Sequence, residues 1–167
     1  MGYKLDRKWS DQFMPEVKEK LASLFIKEAN DEEDMKRATD ICTITLEPVR
    51  CAVRVLRWEN SHKYMDSFTI RMKRPNRRTE LCKIVEGYGD YSFFAIADEH
   101  DQFLASWFIG DLKVFRVWFM KQLWTNKRKF IIIKNKDNSS SFLSIKINDL
   151  PKEFIYDSGG SYFKNNN

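Results

Sequence analysis

The chain has few of the residues that mark disulfide-rich, zinc-binding or His-dependent proteins. It contains 3 cysteines and 2 histidines, together with 6 glycines and 4 prolines. An odd number of cysteines without CxxC spacing argues against a disulfide framework or a zinc site. Two histidines in unrelated polar contexts give a His-based catalytic triad no support. We expect all three cysteines to be small core residues in a reducing compartment, namely Cys42, Cys51 and Cys82.

Long apolar runs are also absent from the sequence. No stretch approaches the roughly 20 apolar residues that a membrane-spanning helix needs. The first residues carry charge with no apolar segment after them, which is not the pattern of a secretory signal. Asp6 stands where a myristoylation signal needs serine or threonine. We therefore expect a soluble cytoplasmic protein with no membrane partner.

Apolar and aromatic residues are plentiful enough for a packed core. Apolar residues make up 43% of the 167 residues and aromatic residues 14%. A chain of this length buries about 70% of its unfolded surface when it folds. No repeat or linker divides the sequence. We expect a single domain over 1–167, with a core at about 10–124 and a C-terminal hairpin and tail at 125–167.

Positive charge is concentrated in two short segments. The net charge is +5, and residues 71–78 (RMKRPNRR) hold five cations and no anion. A second group of cations lies at 127–129, followed by Lys134 and Lys136, while residues 31–34 (DEED) are acidic. Basic loops on a mixed surface indicate a polyanionic partner such as nucleic acid. A solvated surface with uneven charge is the alternative.

Hydrophobic periodicity predicts ten helices and strands. Ser10 to Ala29 has helical spacing, and Glu28 lies on or beside its apolar stripe. Two apolar runs separated by Pro48 predict a β-hairpin, and a third strand follows. The predicted strands are 41–46, 49–56, 67–72, 91–97, 104–109, 130–134 and 141–147, and the two later helices are 79–87 and 111–123. This order indicates an α+β fold with a mixed central β-sheet flanked by helices.

The first part of this pattern resembles the PD-(D/E)xK, or restriction-endonuclease-like, superfamily over about Phe13 to Ala97. The resemblance implies that a helix glutamate, a strand aspartate and an acid-x-lysine pair bind a divalent metal ion. Glu28 matches the helix acid and Asp40 the strand acid. Arg54 replaces the lysine, and Ala52 stands where the family has its second carboxylate. The resemblance is therefore to a divergent form of the family that lacks the second carboxylate of the motif.

The resemblance implies a Mg²⁺-dependent endonuclease. Its catalytic residues would be Asp40, Arg54 and Glu28, and its metal ligands Asp40, Glu28 and Asp66. Arg54 would orient the scissile phosphate, since a guanidinium is a good phosphate ligand but a poor proton-transfer group. Asp66, Glu80 or Glu47 would have to supply the missing carboxylate. The backbone of the nucleic acid, DNA in the first instance, would be bound by Arg50, Arg71, Lys73, Arg74, Arg77 and Arg78.

Three alternatives remain open at this stage. In the first, Arg50, Arg54 and Arg71 line a solvent-exposed face and form salt bridges with Glu28, Asp40 or Asp66. In the second, the chain is a non-enzymatic protein-interaction module of viral or mobile-element type, which binds or inhibits a host protein. In the third, the Trp-rich segment 106–124 forms a homodimer interface and does not stack on nucleic-acid bases.

Overall fold

The described residues form two compact units, Met1–Val49 and Arg50–Asn167. The structure is a computed structural model that describes residues 2–22, 26–28, 41–43, 49–61, 65–75, 78–126, 128–135 and 139–160. The expected α+β class is confirmed, because both units combine helices with β-sheet. The single domain and the endonuclease-like core stay predictions.

The N-terminal unit contains two helices and a two-stranded sheet. Helix α1 spans Gly2–Asp11 and helix α2 spans Met14–Ala22. Strand β1 (Ile26–Glu28) pairs antiparallel with β2 (Ile41–Thr43). Pro15 lies in the first turn of α2, where its missing N–H leaves no helical hydrogen bond unmade. Trp9 packs edge-on against the buried ring of Phe13 between the helices.

The first sheet of the C-terminal unit has the order β3-β5-β6-β9. Strand β3 (Cys51–Leu56) runs parallel to β5 (Tyr91–Ala97), whereas β6 (Leu104–Asp111) and β9 (Ile155–Gly160) continue the sheet antiparallel. Residues Ser92 to Ala97 are buried without alternation, as expected of a central strand covered on both faces.

The second sheet is antiparallel and has the order β4-β8-β7. Its strands are β4 (Ser67–Lys73), β8 (Ser141–Lys146) and β7 (Ile131–Lys134). Alternation along β4 and β8 sends Phe68, Ile70, Leu143 and Ile145 into the core. The opposite face, which we call the outer face, carries Ser67, Thr69 and Arg71 on β4 and Phe142, Ser144 and Lys146 on β8.

Three helices complete the C-terminal unit: α3 (Trp58–Ser61), α4 (Glu80–Val85) and α5 (Leu112–Thr125). Helix α4 begins at the cap Thr79, whose hydroxyl accepts a hydrogen bond from Cys82 N. Helix α5 begins at Asp111, whose carboxylate accepts hydrogen bonds from the amides of Lys113 and Val114. Two short 3₁₀ turns, Ile147–Asp149 and Lys152–Phe154, connect β8 to β9.

A cluster of aromatic rings fills the core of this unit. The Phe68 ring lies 5.3–5.8 Å from those of Phe94, Phe108, Phe115 and Phe154. These rings come from both sheets, from α5 and from the second 3₁₀ turn, so the sheets and the helix share one core. Edge-to-face contacts of this kind contribute about 0.5–1.5 kcal/mol each beyond burial.

Several predicted elements are confirmed and two are wrong. The strands at 67–72, 91–97 and 104–109, the helix at 111–123 and the last hairpin are present within a few residues. The single helix 10–29 is wrong because the chain turns at Gln12 and Phe13, and Glu28 lies in β1. The first hairpin is wrong because β2 pairs with β1 and β3 pairs with β5. Strand β9 was not predicted.

Candidate nucleic-acid interface

Arg54 projects from the middle of β3 into a network of hydrogen bonds. Its Nη1 donates to the carbonyl oxygen of Thr69 at 3.0 Å and to Oε2 of Glu80 at 3.1 Å. The Arg54 and Glu80 side chains are 19% and 25% exposed, so water screens the ion pair only in part. Burial lowers the pKa of Arg54, while the Glu80 carboxylate opposes that shift. The half-buried strand can hold Arg54 because the Glu80 carboxylate pairs with its charge.

The Arg54–Glu80 ion pair also covers the unpaired edge of the second sheet. Strand β4 is an edge strand, and residues 69 and 71 direct their main-chain groups away from β8. Arg54 donates to the Thr69 carbonyl, and Glu80 Oε2 accepts a hydrogen bond from Arg71 N at 3.2 Å. Side chains from β3 and α4 therefore satisfy groups that would otherwise template another strand.

A second guanidinium lies beside this pair. The Arg54 and Arg71 guanidiniums lie over the ring of Phe142, at 5.2 and 5.4 Å from its centroid. Arg71 Nε is buried and has no hydrogen-bond partner among the described residues. We call Arg54, Arg71, Glu80 and Phe142 the arginine cluster. Within the described residues, its two cations and one carboxylate leave one positive charge without a counter-ion, which an anionic group can neutralise.

Neighbouring contacts hold α4 against β4. The Thr79 hydroxyl donates to the Met72 carbonyl at 3.0 Å, so the helix cap also binds the end of the strand. Arg78 pairs with Glu86 and lies over the Tyr88 ring, 5.5 Å from its centroid. The contact between Thr79 and Met72 holds Glu80, the first residue of α4, beside β4.

Other predicted backbone-binding residues lie at varied positions. Lys73 is exposed at the end of β4 and Arg74 is half-buried just after it, whereas Arg77 lies outside the described residues. Arg50 has an exposed side chain, and its main-chain N–H donates to Asp90 Oδ2 at 2.9 Å. Of the predicted cations, the structure thus unites Arg54 and Arg71 in one cluster.

A cleft of about 350 Å³ opens at the opposite end of the outer face. Ser67 and Ser144 line it from the sheet, together with Lys146. The segment after α5 contributes Arg128, Lys129, Phe130 and Ile131, and Asp149 completes the lining. We call this the basic cleft. The sequence signal for it was the cation group at 127–129, but no local pattern indicated that β4 and β8 would complete the site.

Exposed ion pairs border the basic cleft. Lys129 Nζ lies 3.5 Å from Asp149 Oδ1, and Lys146 pairs with Asp66. Asp66 also accepts a hydrogen bond from the Ser67 hydroxyl at 3.0 Å. Burial acts to raise the pKa of Asp66, but the hydrogen bonds from Lys146 and Ser67 prevail and lower that pKa.

The three predicted metal ligands have different outcomes. Asp40 lies outside the described residues, as does the side chain of Glu28. Asp66 is described and pairs with Lys146, so it is not the carboxylate that meets Arg54. Within the described parts of the chain, no three His, Cys, Asp or Glu side chains are grouped to hold a metal ion. The Mg²⁺ site stays a prediction that depends on Asp40 and Glu28.

The cysteines differ from the expected buried set. Cys51 is half-buried in β3, and burial raises its pKa to about 11, which keeps the thiol protonated near neutral pH. Cys82 is exposed on α4, so its predicted core position is wrong. The neighbouring polar groups of Thr79 lower the pKa of Cys82. The side chain of Cys42 lies outside the described residues.

Comparisons with protein-family models, with curated proteins and with solved structures give no match to this chain. In the described residues, every helix is too short or too polar to cross a bilayer.

Proposed function

We propose that the protein binds nucleic acid, DNA in the first instance, and that the arginine cluster holds a phosphate of its backbone. The observation that carries this proposal is the buried Nε of Arg71, which has no hydrogen-bond partner in the described parts of the chain and lies beside the Arg54–Glu80 ion pair. A half-buried cation without its own counter-ion is unfavourable unless it binds an anion. The net charge of +5 favours a polyanion as the source of that anion.

The arginine cluster is better suited to bind a phosphate than a single compact cation such as a lysine ammonium would be. Guanidinium groups present several N–H donors in one plane and bind phosphate oxygens in pairs. The ring of Phe142 supports both guanidiniums, and Glu80 holds Arg54 in a single orientation. Arg54 is therefore a positioning residue for the site, while Arg71 is the residue that would contact phosphate.

Anisotropy of a fluorescent 20-base-pair duplex between 50 and 200 mM salt tests this proposal. Arg71→Met should weaken binding about tenfold and reduce the slope of log K against log [salt] by about one, because one phosphate contact is lost. Arg7→Met is the matched control, since it removes the same charge from an exposed side chain in α1. Equal effects of the two substitutions, or no binding of either this duplex or a single strand at 50 mM salt, would overturn the proposal.

The Mg²⁺-dependent endonuclease activity is a further part of the proposal, supported by the resemblance of the sequence to the PD-(D/E)xK superfamily. The resemblance assigns this activity to Asp40, Glu28 and Arg54, of which Arg54 is hydrogen-bonded to Glu80. Incubation with supercoiled and single-stranded DNA in Mg²⁺ or Mn²⁺ should give cleavage products. Asp40→Asn should abolish cleavage and preserve binding in EDTA. Cleavage retained by Asp40→Asn would reject this metal site.

A second candidate function is self-association through α5. Val117 and Trp124 are 73% and 87% exposed, and Met120 and Leu123 add further exposed apolar surface. Exposed apolar surface on this scale is typical of protein interfaces. If two copies pair through α5, light scattering should give a dimer mass that falls to a monomer in Val117→Lys/Trp124→Lys. A monomer at every concentration would exclude this function.

A further inference from the structure

We infer that the basic cleft holds one unstacked nucleotide of a single-stranded nucleic acid, with its base against Phe130 and its phosphate at the surrounding cations. This inference rests on the proposed binding at the arginine cluster and specifies the form of the nucleic acid. It has one strand contact both the arginine cluster and the cleft, which lie at opposite ends of the second sheet.

The cleft combines a flat apolar wall with hydrogen-bonding groups. The Phe130 ring packs on Phe119 at 5.6 Å between centroids, which anchors it against the core while it lines the cleft. Ile131 is 63% exposed beside it and extends the apolar wall. Nucleic-acid bases have apolar faces and polar edges. Phe130 and Ile131 would receive the face of a base, and the charged side chains that line the cleft its polar edge.

The cations at the cleft have partners that a phosphate can replace. Lys129–Asp149 is 57% and 36% exposed, and Lys146–Asp66 is 58% and 63% exposed. Ion pairs this exposed contribute little to stability, so exchanging a carboxylate for a phosphate is nearly neutral for the fold. Arg128 adds a third cation to the lining. The cleft can therefore bind a phosphate without disrupting a buried interaction.

The two sites are placed for one continuous ligand. Ser67 lines the cleft and Arg71 belongs to the arginine cluster, and both lie on the outer face of β4, four residues apart. Strand geometry puts their Cα atoms about 13–14 Å apart. A nucleic-acid strand has one phosphate for each nucleotide, so a few nucleotides cover this distance.

The size and lining of the cleft favour a single strand over a duplex. A cavity of about 350 Å³ lies at the lower end of the range for small-molecule pockets and is too small for a base pair with its two backbones. A duplex base is stacked and paired, so entry would require its extrusion at a free-energy cost. Bases of a single strand are already available for stacking on aromatic side chains.

Competition anisotropy with three 12-mers tests this inference: oligothymidylate, the same backbone with abasic sites, and a duplex. Wild type should bind oligothymidylate about tenfold more tightly than either of the other two. Phe130→Leu preserves apolar packing but removes the flat ring, so it should eliminate most of that preference. Phe103→Leu is the matched control, because Phe103 is an exposed aromatic residue in the loop before β6.

The outcomes separate this inference from the proposed function. Equal wild-type affinity for all three oligonucleotides, or equal effects of Phe130→Leu and Phe103→Leu, would overturn the cleft as a nucleotide site. The proposed function would still stand in that case if Arg71→Met weakens binding of all three. If none of the three binds at 50 mM salt, both the proposed function and the cleft inference fail.

Discussion

The arginine cluster and the basic cleft lie at two ends of one sheet face and hold their charges in opposite ways. At the arginine cluster the paired side chains are about one-fifth to one-quarter exposed and make hydrogen bonds to the main chain of β4. At the cleft the pairs join lysines to carboxylates that are more than one-third exposed. Burial makes the first pair part of the fold, whereas exposure leaves the second exchangeable.

The largest expected effect concerns Glu80. Glu80→Leu should lower the free energy of unfolding by about 2–3 kcal/mol, because the Arg54 guanidinium and the Arg71 main-chain amide would lose their acceptor. Urea denaturation monitored by circular dichroism measures the change. Glu86→Leu, which removes an exposed carboxylate near the end of α4, is the control and should change stability by less than about 1 kcal/mol.

Rescue of that variant sharpens the prediction. Adding Arg54→Met to Glu80→Leu should recover more than about 1 kcal/mol, since the unpaired buried charge is removed along with its partner. If the double variant is as unstable as the sum of the two single variants, the ion pair does not act as a unit at the edge of β4.

A smaller effect is expected at Arg71, with stability and binding changing independently. Arg71→Met should leave the free energy of unfolding unchanged or raise it by up to about 1 kcal/mol, because Arg71 lies beside Arg54 and has no carboxylate partner among the described residues. Arg71→Lys should lose about threefold to tenfold in nucleic-acid affinity, since it keeps charge but not the planar fork. A strongly destabilised Arg71→Met would show that Arg71 is structural.

The carboxylates of the basic cleft should matter less. Asp149→Asn should change stability by less than about 0.5 kcal/mol, because the Lys129–Asp149 pair is exposed. It should also strengthen single-strand binding about twofold to threefold by removing a negative charge that competes with phosphate. Urea denaturation and anisotropy at 50 mM salt measure the two effects. If Asp149→Asn instead lowers the free energy of unfolding by about 2 kcal/mol, the Lys129–Asp149 pair contributes to stability as the Arg54–Glu80 pair does.

The smallest predicted effect is on acid stability through Asp66. Because the pKa of Asp66 is lowered in the folded protein, its contribution is fully present above the unfolded value near 3.9. That contribution is lost as the pH falls through the folded pKa. Asp66→Asn should therefore be less stable than wild type by a few tenths of a kcal/mol at pH 6 and equally stable at pH 2. An unchanged difference in urea denaturation at the two pH values would contradict this linkage.

Local patterns predicted much of the C-terminal unit. The uninterrupted apolar run at 91–97 indicated a buried strand, and Asp111 followed by an apolar segment indicated a capped helix; both are present. The helix 10–29 was wrong because pairing of β1 with β2 involves residues that are distant in sequence. Periodicity over a short window reports which face of an element is apolar, but not which element will pair with it.

The arginine cluster could be predicted only in part. Arg54 and Arg71 were both identified as phosphate-binding candidates, and Glu80 was one of three possible carboxylates. The sequence offered no means of choosing Glu80 over Asp66, because Glu80 meets Arg54 only after α4 packs beside β4. The basic cleft was missed for the same reason, since β4, β8 and the segment after α5 each supply part of it.

The sequence by itself determined the α+β class, the positive charge and the main strands and helices of the C-terminal unit, because composition and periodicity act locally. Tertiary structure alone decided that β3 runs parallel to β5 and that β4 is an edge strand. It therefore also decided that Arg54 and Glu80 satisfy the main chain of that edge. Such pairings depend on contacts between residues far apart in sequence, whose free energy exists only once the chain has folded.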